Sequence, residues 1–87
     1  MSSSTRDRVR ALLKTTGRLQ TDIDTLGNDA DLYAAGLTSH ATVNLMLALE
    51  EAFDVELPDA LLRRRTFSSV DAIVEALAEI GVKTEAA

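Results

Sequence analysis

The sequence has no cysteine and no tryptophan, and it contains a single histidine and a single proline. Without cysteine the chain can form no disulfide framework and offers no thiol nucleophile. One histidine cannot build a histidine-based metal cluster, so we expect no metal site. Aromatic residues make up only 3% of the chain, so its core must be built from aliphatic side chains.

Long apolar runs are also missing. No run approaches the ~20 residues that a membrane-spanning helix requires. The charged start MSSSTRDRVR is not followed by the apolar segment of a signal peptide. We therefore expect a soluble cytoplasmic protein with no membrane partner.

Basic residues are absent from the middle of the sequence. Between Arg18 and Arg63 there is no lysine or arginine, whereas nine acidic residues lie there, and the net charge of the chain is −5. An acidic face repels nucleic acid and attracts basic protein surfaces, so we expect a protein partner and no nucleic acid. The alternative is that this charge only keeps the surface solvated.

Length and composition predict one small domain. The 87 residues are 46% hydrophobic, which is too many for a disordered tail. We expect a single domain over residues 1–87, with an ordered core at about residues 5–81, that works as a free-standing monomer.

The first half of the chain predicts one helix and a long loop. Val9, Leu12 and Leu13 recur at helical spacing and predict a helix over residues 5–16, stopped by Gly17. The loop that follows is long for a compact domain, and such loops are often functional. Five isolated apolar residues are expected to pin it to the core: Leu19, Ile23, Leu26, Leu32 and Leu37.

The second half predicts three more helices. The first of these should run from Ser39 to Phe53, and Pro58 then separates it from a short helix over residues 59–64. A last helix is indicated by apolar residues at helical spacing, with Ser68 and Asp71 as its capping box and Gly81 as its stop: Val70, Ile73, Val74, Leu77 and Ile80. Nothing alternates with period two. The predicted fold is therefore all-α, a four-helix bundle with a long first loop and a short third helix.

The helix over Ser39–Phe53 has more apolar surface than one core face can use. With each residue placed at 100°, Val43 and Leu47 fall outside the apolar arc, beside Asn44 and Glu51. Apolar residues bordered by acids are typical of a docking strip for a partner with a basic rim. The arc itself, which should face the core, contains Leu45, Met46, Leu49, Ala52 and Phe53.

Catalysis by the chain itself is not expected. Ser39 and His40 are adjacent, and neighbouring residues of a helix do not face each other, so His40 is poorly placed to activate Ser39. No Gly-rich phosphate loop is present, and DNADLYAAG lacks the ligand spacing of a calcium loop. Ser39 could be the N-terminal cap of its helix, or it could be a point of covalent attachment.

The stretches DLYAAGLTS, LALEEAFDVELPD and TFSSVDAIVEAL make the chain from Asp31 to about Leu77 resemble the acyl carrier protein family, which includes aminoacyl and peptidyl carriers. The resemblance implies that a 4'-phosphopantetheine arm is attached to Ser39 and that its thiol holds an acyl or aminoacyl group as a thioester. It also implies that partners contact the exposed side of the helix at Val43, Asn44, Leu47 and Glu51. The implied partners are a phosphopantetheinyl transferase, a cargo-loading ligase and a downstream transferase.

The sequence departs from the family pattern around the attachment serine. Thr38 and His40 replace the usual aspartate and leucine, so that His40 puts a polar side chain at a partner-contact position. These departures favour a specialised carrier with a dedicated loading enzyme, possible cargoes including an amino acid. The alternative is an unmodified helical adaptor that binds partners through the same helix and uses Ser39 only as a cap.

Overall fold

The structure is a computed structural model that describes residues 4–82, so the predicted ends of the domain, residues 1–3 and 83–87, lie outside the described residues. Three α-helices are present: α1 (Thr5–Leu12), α2 (Ser39–Phe53) and α3 (Val70–Glu79). Residues 4–82 contain no strand, and the predicted all-α class is confirmed. None of the helices in this range is long and apolar enough to cross a membrane.

The first helix ends earlier than predicted. After Leu12 the chain widens into a π-helical turn, Leu13–Gly17. The hydroxyls of Thr15 and Thr16 donate to carbonyl oxygens one turn back, which competes with regular α-helical bonding. Gly17 ends the turn, but the left-handed residue that reverses the chain is Arg18, at φ 49°.

The core is aliphatic apart from Phe67 and draws on every helix. Its largest fully buried side chains are Val9, Leu13, Leu32, Leu45, Leu49, Val70, Ile73 and Leu77. All five apolar residues of the long loop pack as predicted, with Ile23, Leu32 and Leu37 buried and Leu19 and Leu26 half-buried against the core. The predicted docking of the loop is therefore confirmed.

Hydrogen bonds also hold the loop in place. The amide of Leu32 donates to the carbonyl of Ser68 at 2.8 Å, and the amide of Asp71 donates to the carbonyl of Asn28 at 2.9 Å. Arg10 reaches from α1 to the carbonyls of Ile23 and Leu26 (2.6 and 2.8 Å) and to the side-chain oxygen of Asn28 (2.9 Å). The loop is thus a fixed support for the start of α2.

The predicted short third helix is divided into two 3₁₀ segments, Asp59–Leu61 and Arg64–Phe67. The division comes from the backbone between them, because Arg63 is extended (φ −125°, ψ 157°). At the start of α3 the predicted capping box is wrong by one residue: Ser69, not Ser68, accepts a hydrogen bond from the amide of Ala72, at 3.0 Å.

Candidate functional site

A glycine turn sets the position of α2. Gly36 has φ 115°, a conformation that side-chain-bearing residues rarely adopt. A Cβ atom at this position would lie 2.8 Å from the backbone nitrogen of Gln20. That nitrogen donates to the carbonyl of Ala35 at 2.9 Å. The close approach of the two backbones therefore requires glycine here.

Thr38, not Ser39, caps α2. The hydroxyl of Thr38 accepts a hydrogen bond from the amide of Ala41 at 3.0 Å. Ser39 is the first residue of the helix and is exposed. Within residues 4–82 its hydroxyl has no hydrogen-bond partner. The interpretation of Ser39 as the N-cap is therefore wrong, because the neighbouring threonine already satisfies the orphan amide.

Ser39 opens onto a surface groove between α2 and the segment that precedes α3. The groove has a volume of about 430 Å³ and is open to solvent. Most of its surface is apolar, and no carboxylate borders it. It is lined by Tyr33, Ser39, Thr42, Val43, Met46, Leu62, Arg63, Arg64 and Phe67.

Tyr33 and Arg64 form one wall of this groove. The guanidinium carbon of Arg64 lies 3.9 Å from the centre of the Tyr33 ring, within the range of a cation–π contact. The Tyr33 hydroxyl donates to the carbonyl oxygen of Arg64 at 2.7 Å. Partial burial raises the pKa of Tyr33, and Asp31 adds to this while Arg64 opposes it. The two residues therefore fix each other.

The predicted docking residues share the outward face of α2. His40, Asn44 and Glu51 are exposed, and Val43 and Leu47 have 52% and 54% of their surface exposed. The predicted division of the helix therefore holds for Val43, Asn44, Leu47 and Glu51, and His40 is exposed on the same side.

Two neighbours of this face differ from the sequence interpretation. Ala52 was expected in the core arc but is exposed, and its carbonyl accepts a hydrogen bond from Arg8 at 2.7 Å. Leu62, which is 43% exposed and lines the groove, was not singled out from the sequence. Its signal was the pair Leu61-Leu62, because two adjacent residues on a short helical turn cannot both face the core.

The described residues offer no other chemistry of note. In residues 4–82 there is no group of three or more histidine, aspartate or glutamate side chains that could hold a metal ion. His40 is exposed and stands beside Ser39 on the first turn of α2. The site is thus one accessible hydroxyl, an apolar groove with a basic rim, and an exposed helix face.

Comparison with known proteins supplies the context of this site. The family model described as "phosphopantetheine attachment site" matches residues 7–77. An aminoacyl carrier protein from Agrobacterium fabrum is 55% identical over 65 residues, which make up 75% of this chain and 78% of that protein.

Solved structures of carrier proteins also match this chain. A carrier protein from Agrobacterium tumefaciens, in a complex with an engineered Bradyrhizobium japonicum glycine:[carrier protein] ligase and AMP, matches with a TM-score of 0.81 and 49% identity, over 84% of this chain and 97% of that one. The holo acyl carrier protein of Nitrosomonas europaea matches with a TM-score of 0.77 and 26% identity, over 88% of this chain and 95% of that one.

Proposed function

The chain belongs to the phosphopantetheine-bearing carrier proteins, and on that premise we propose that Ser39 is the residue to which its arm is attached. Members of this family carry acyl or aminoacyl groups and are not themselves catalysts. The observation that supports Ser39 is its hydroxyl, which is exposed at the start of α2 and has no structural partner among residues 4–82.

The residues around Ser39 suit a phosphate ester. The groove at its side is free of carboxylates and bordered by two arginines, so a negative charge there meets no repulsion from its lining. The first amides of α2 also favour an anion. When attached, the arm supplies a terminal thiol that holds the cargo as a thioester. The chain itself supplies the attachment point and the surface that partners bind.

We propose that the cargo is an amino acid, and that glycine is the first candidate. This rests on the relatives: one is an aminoacyl carrier protein, and another is a carrier protein in a complex with an engineered glycine:[carrier protein] ligase. Thr38 and His40 support the same direction, since they stand on either side of Ser39 where the family usually has aspartate and leucine. The loading enzyme is then a ligase of the glycine:[carrier protein] kind.

The proposed docking surface is the outward face of α2. Val43 and Leu47 supply two exposed aliphatic side chains, and Glu51 supplies an exposed carboxylate beside them. Such a surface suits a partner with an apolar contact and a basic rim. We assign it to the phosphopantetheinyl transferase, the loading ligase and the downstream transferase in turn, with His40 and Asn44 at its edge.

Intact-mass measurement tests the attachment site. The purified chain is incubated with coenzyme A and a broad-specificity phosphopantetheinyl transferase until the reaction stops. Wild type and Thr38→Ala should each gain one phosphopantetheinyl group, whereas Ser39→Ala should gain none. Modification of Ser39→Ala would place the arm on another residue, and an unmodified wild type would refute the proposal.

A further inference from the structure

Three consecutive arginines, Arg63 to Arg65, precede α3, and only two of them border the groove. Arg63 and Arg64 border the groove that contains Ser39. Arg65 does not border it; it borders two neighbouring depressions, one shared with Arg63 and the other with Arg64. Arg65 can therefore serve as a control for Arg63 and Arg64, because it does not border the groove that contains Ser39.

None of these arginines has a carboxylate partner within residues 4–82. The two ion pairs of that range are Arg6–Asp71 and Lys14–Asp24. The groove lining contains no aspartate or glutamate. Carboxylates lie on the other side of each arginine, since Glu75 and Glu79 border a second depression with Arg63, and Asp29 and Asp31 border a third with Arg64. Within the groove itself, two cations that form no ion pair lie with one exposed hydroxyl.

Both side chains are held near the groove by the protein. Arg64 packs its guanidinium on the Tyr33 ring at 3.9 Å. Arg63 donates through Nε to the carbonyl of Ala60. In the described part of the chain neither side chain has a further hydrogen-bond partner, so their remaining N–H groups can take an anionic oxygen.

From this arrangement we propose that Arg63 and Arg64 bind the phosphodiester formed on Ser39. The inference rests on Ser39 being the attachment residue. A guanidinium group presents paired N–H donors that match the oxygens of a phosphate group. Binding at this rim fixes the direction in which the arm leaves α2 and lowers the number of conformations that a partner must select.

Phosphorus NMR of the holo protein tests this directly, because the phosphodiester contains its only phosphorus atom. The comparison is between wild type, the double variant Arg63→Gln/Arg64→Gln, and the control Arg65→Gln. The ³¹P signal should change its chemical shift in the double variant and keep the wild-type value in the control. Added salt should move the wild-type signal toward that of the double variant, because it screens the contact.

A second measurement needs no variant. The Nε–Hε resonances of Arg63 and Arg64 should shift between the apo and holo forms of wild type, while that of Arg65 stays in place. An unchanged ³¹P signal in the double variant, or unchanged Arg63 and Arg64 resonances on attachment, would overturn the inference. Arginine shifts that appear only when a ligase is added would also overturn it, and would assign the pair to partner docking.

These results are separable from the attachment proposal. If wild type takes up no arm, the proposal for Ser39 fails, and mass measurement reveals this before any phosphorus spectrum is recorded. If wild type is modified on Ser39 but its phosphorus signal is the same in the Arg63→Gln/Arg64→Gln variant, the attachment proposal stands and only the inference about the arginines is lost.

Discussion

Thr38 and Ser39 are adjacent hydroxyl residues at the start of α2, and only Thr38 is used by the fold. Its side-chain oxygen accepts from the amide of Ala41 at 3.0 Å, and its carbonyl accepts from the hydroxyl of Thr42 at 2.7 Å. The hydroxyl of Ser39 has no such bond among residues 4–82. The structural role and the proposed chemical role are thus assigned to different residues.

This division predicts unequal effects of two alanine substitutions on the stability of the apo protein. Thr38→Ala should lower the free energy of unfolding by ~1 kcal/mol, since it leaves the Ala41 amide without its cap. Ser39→Ala should change it by less than about 0.5 kcal/mol. Urea unfolding followed by circular dichroism measures both. Equal losses for the two variants would mean that Ser39 shares the cap.

The two faces of α2 predict a second pair of outcomes. Leu47→Asp should weaken binding to the loading ligase at least tenfold, because full burial of a leucine is worth ~1.5–3 kcal/mol. Its melting temperature should stay close to that of wild type, since the side chain is 54% exposed. Calorimetric titration and thermal melts measure the two quantities.

Leu49→Asp is the matched control on the opposite face. Leu49 is 1% exposed, so the aspartate would bury a charge with no partner. It should destabilise the domain by about 4 kcal/mol or unfold it. If Leu47→Asp unfolds the protein as well, or leaves ligase binding intact, the docking face has been misassigned.

Alanine substitutions at Gly36 and Gly81 can distinguish the cost of backbone strain from the cost of a steric clash. Both have positive φ, but a Cβ at Gly36 would lie 2.8 Å from the Gln20 nitrogen, whereas a Cβ at Gly81 would meet nothing within 4 Å. Gly81→Ala should therefore cost only the strain, ~1–2 kcal/mol. Gly36→Ala should cost clearly more and should also slow modification of Ser39, because it shifts the start of α2. Similar melting temperatures for the two variants would show that the Gln20 contact relaxes without cost.

Arg10 should matter more to stability than its charge suggests. Its guanidinium makes three hydrogen bonds to the long loop, and bonds to charged groups contribute ~1.5–3 kcal/mol. Arg10→Ala should lower the free energy of unfolding by about 2 kcal/mol or more. The control Lys14→Ala removes an exposed ion pair with Asp24 and should have no measurable effect. A neutral Arg10→Ala in denaturant titrations would mean that apolar packing alone holds the loop.

Tyr33 predicts a loss of stability at alkaline pH. Partial burial raises the pKa of Tyr33 in the folded state above its value near 10 in the unfolded chain. The protonated hydroxyl therefore contributes fully to the free energy of unfolding below about pH 10, and this contribution is lost as the pH rises through the pKa of the folded state. Ionisation also removes the hydroxyl donor to Arg64. As the only tyrosine, it can be titrated by absorbance at alkaline pH. Tyr33→Phe should flatten the decline, and an unshifted absorbance titration would contradict the prediction.

The parts of the fold that sequence could predict are those set by strong periodicity. The bounds of α2, Ser39–Phe53, are those expected, because a turn glycine and a C-terminal change of pattern enclose a clear apolar arc. The outward position of Val43 and Leu47 was likewise predicted from angular spacing alone. Both predictions depend on the residues of α2 alone and not on the segments that pack against this helix.

The rest depends on contacts between segments. The choice of Thr38 over Ser39 and of Ser69 over Ser68 as caps is a matter of one residue, which periodicity does not resolve. The carbonyl of the exposed Ala52 faces Arg8, and the groove beside Ser39 exists only because the segment before α3 folds against α2. Neither contact can be predicted from the residues next to it in the sequence.

The interleaving of two sets of residues on α2 has a consequence for how such proteins diversify. Ala41, Leu45 and Leu49 are buried, while Val43, Asn44 and Leu47 between them are exposed. If this outer set is the docking face, as proposed, substitutions on it can change which enzymes recognise the protein while the buried set, and with it the stability of the core, stays the same. A duplicated copy of this chain could then acquire new partner enzymes through single substitutions of exposed side chains, and it would remain folded at every step.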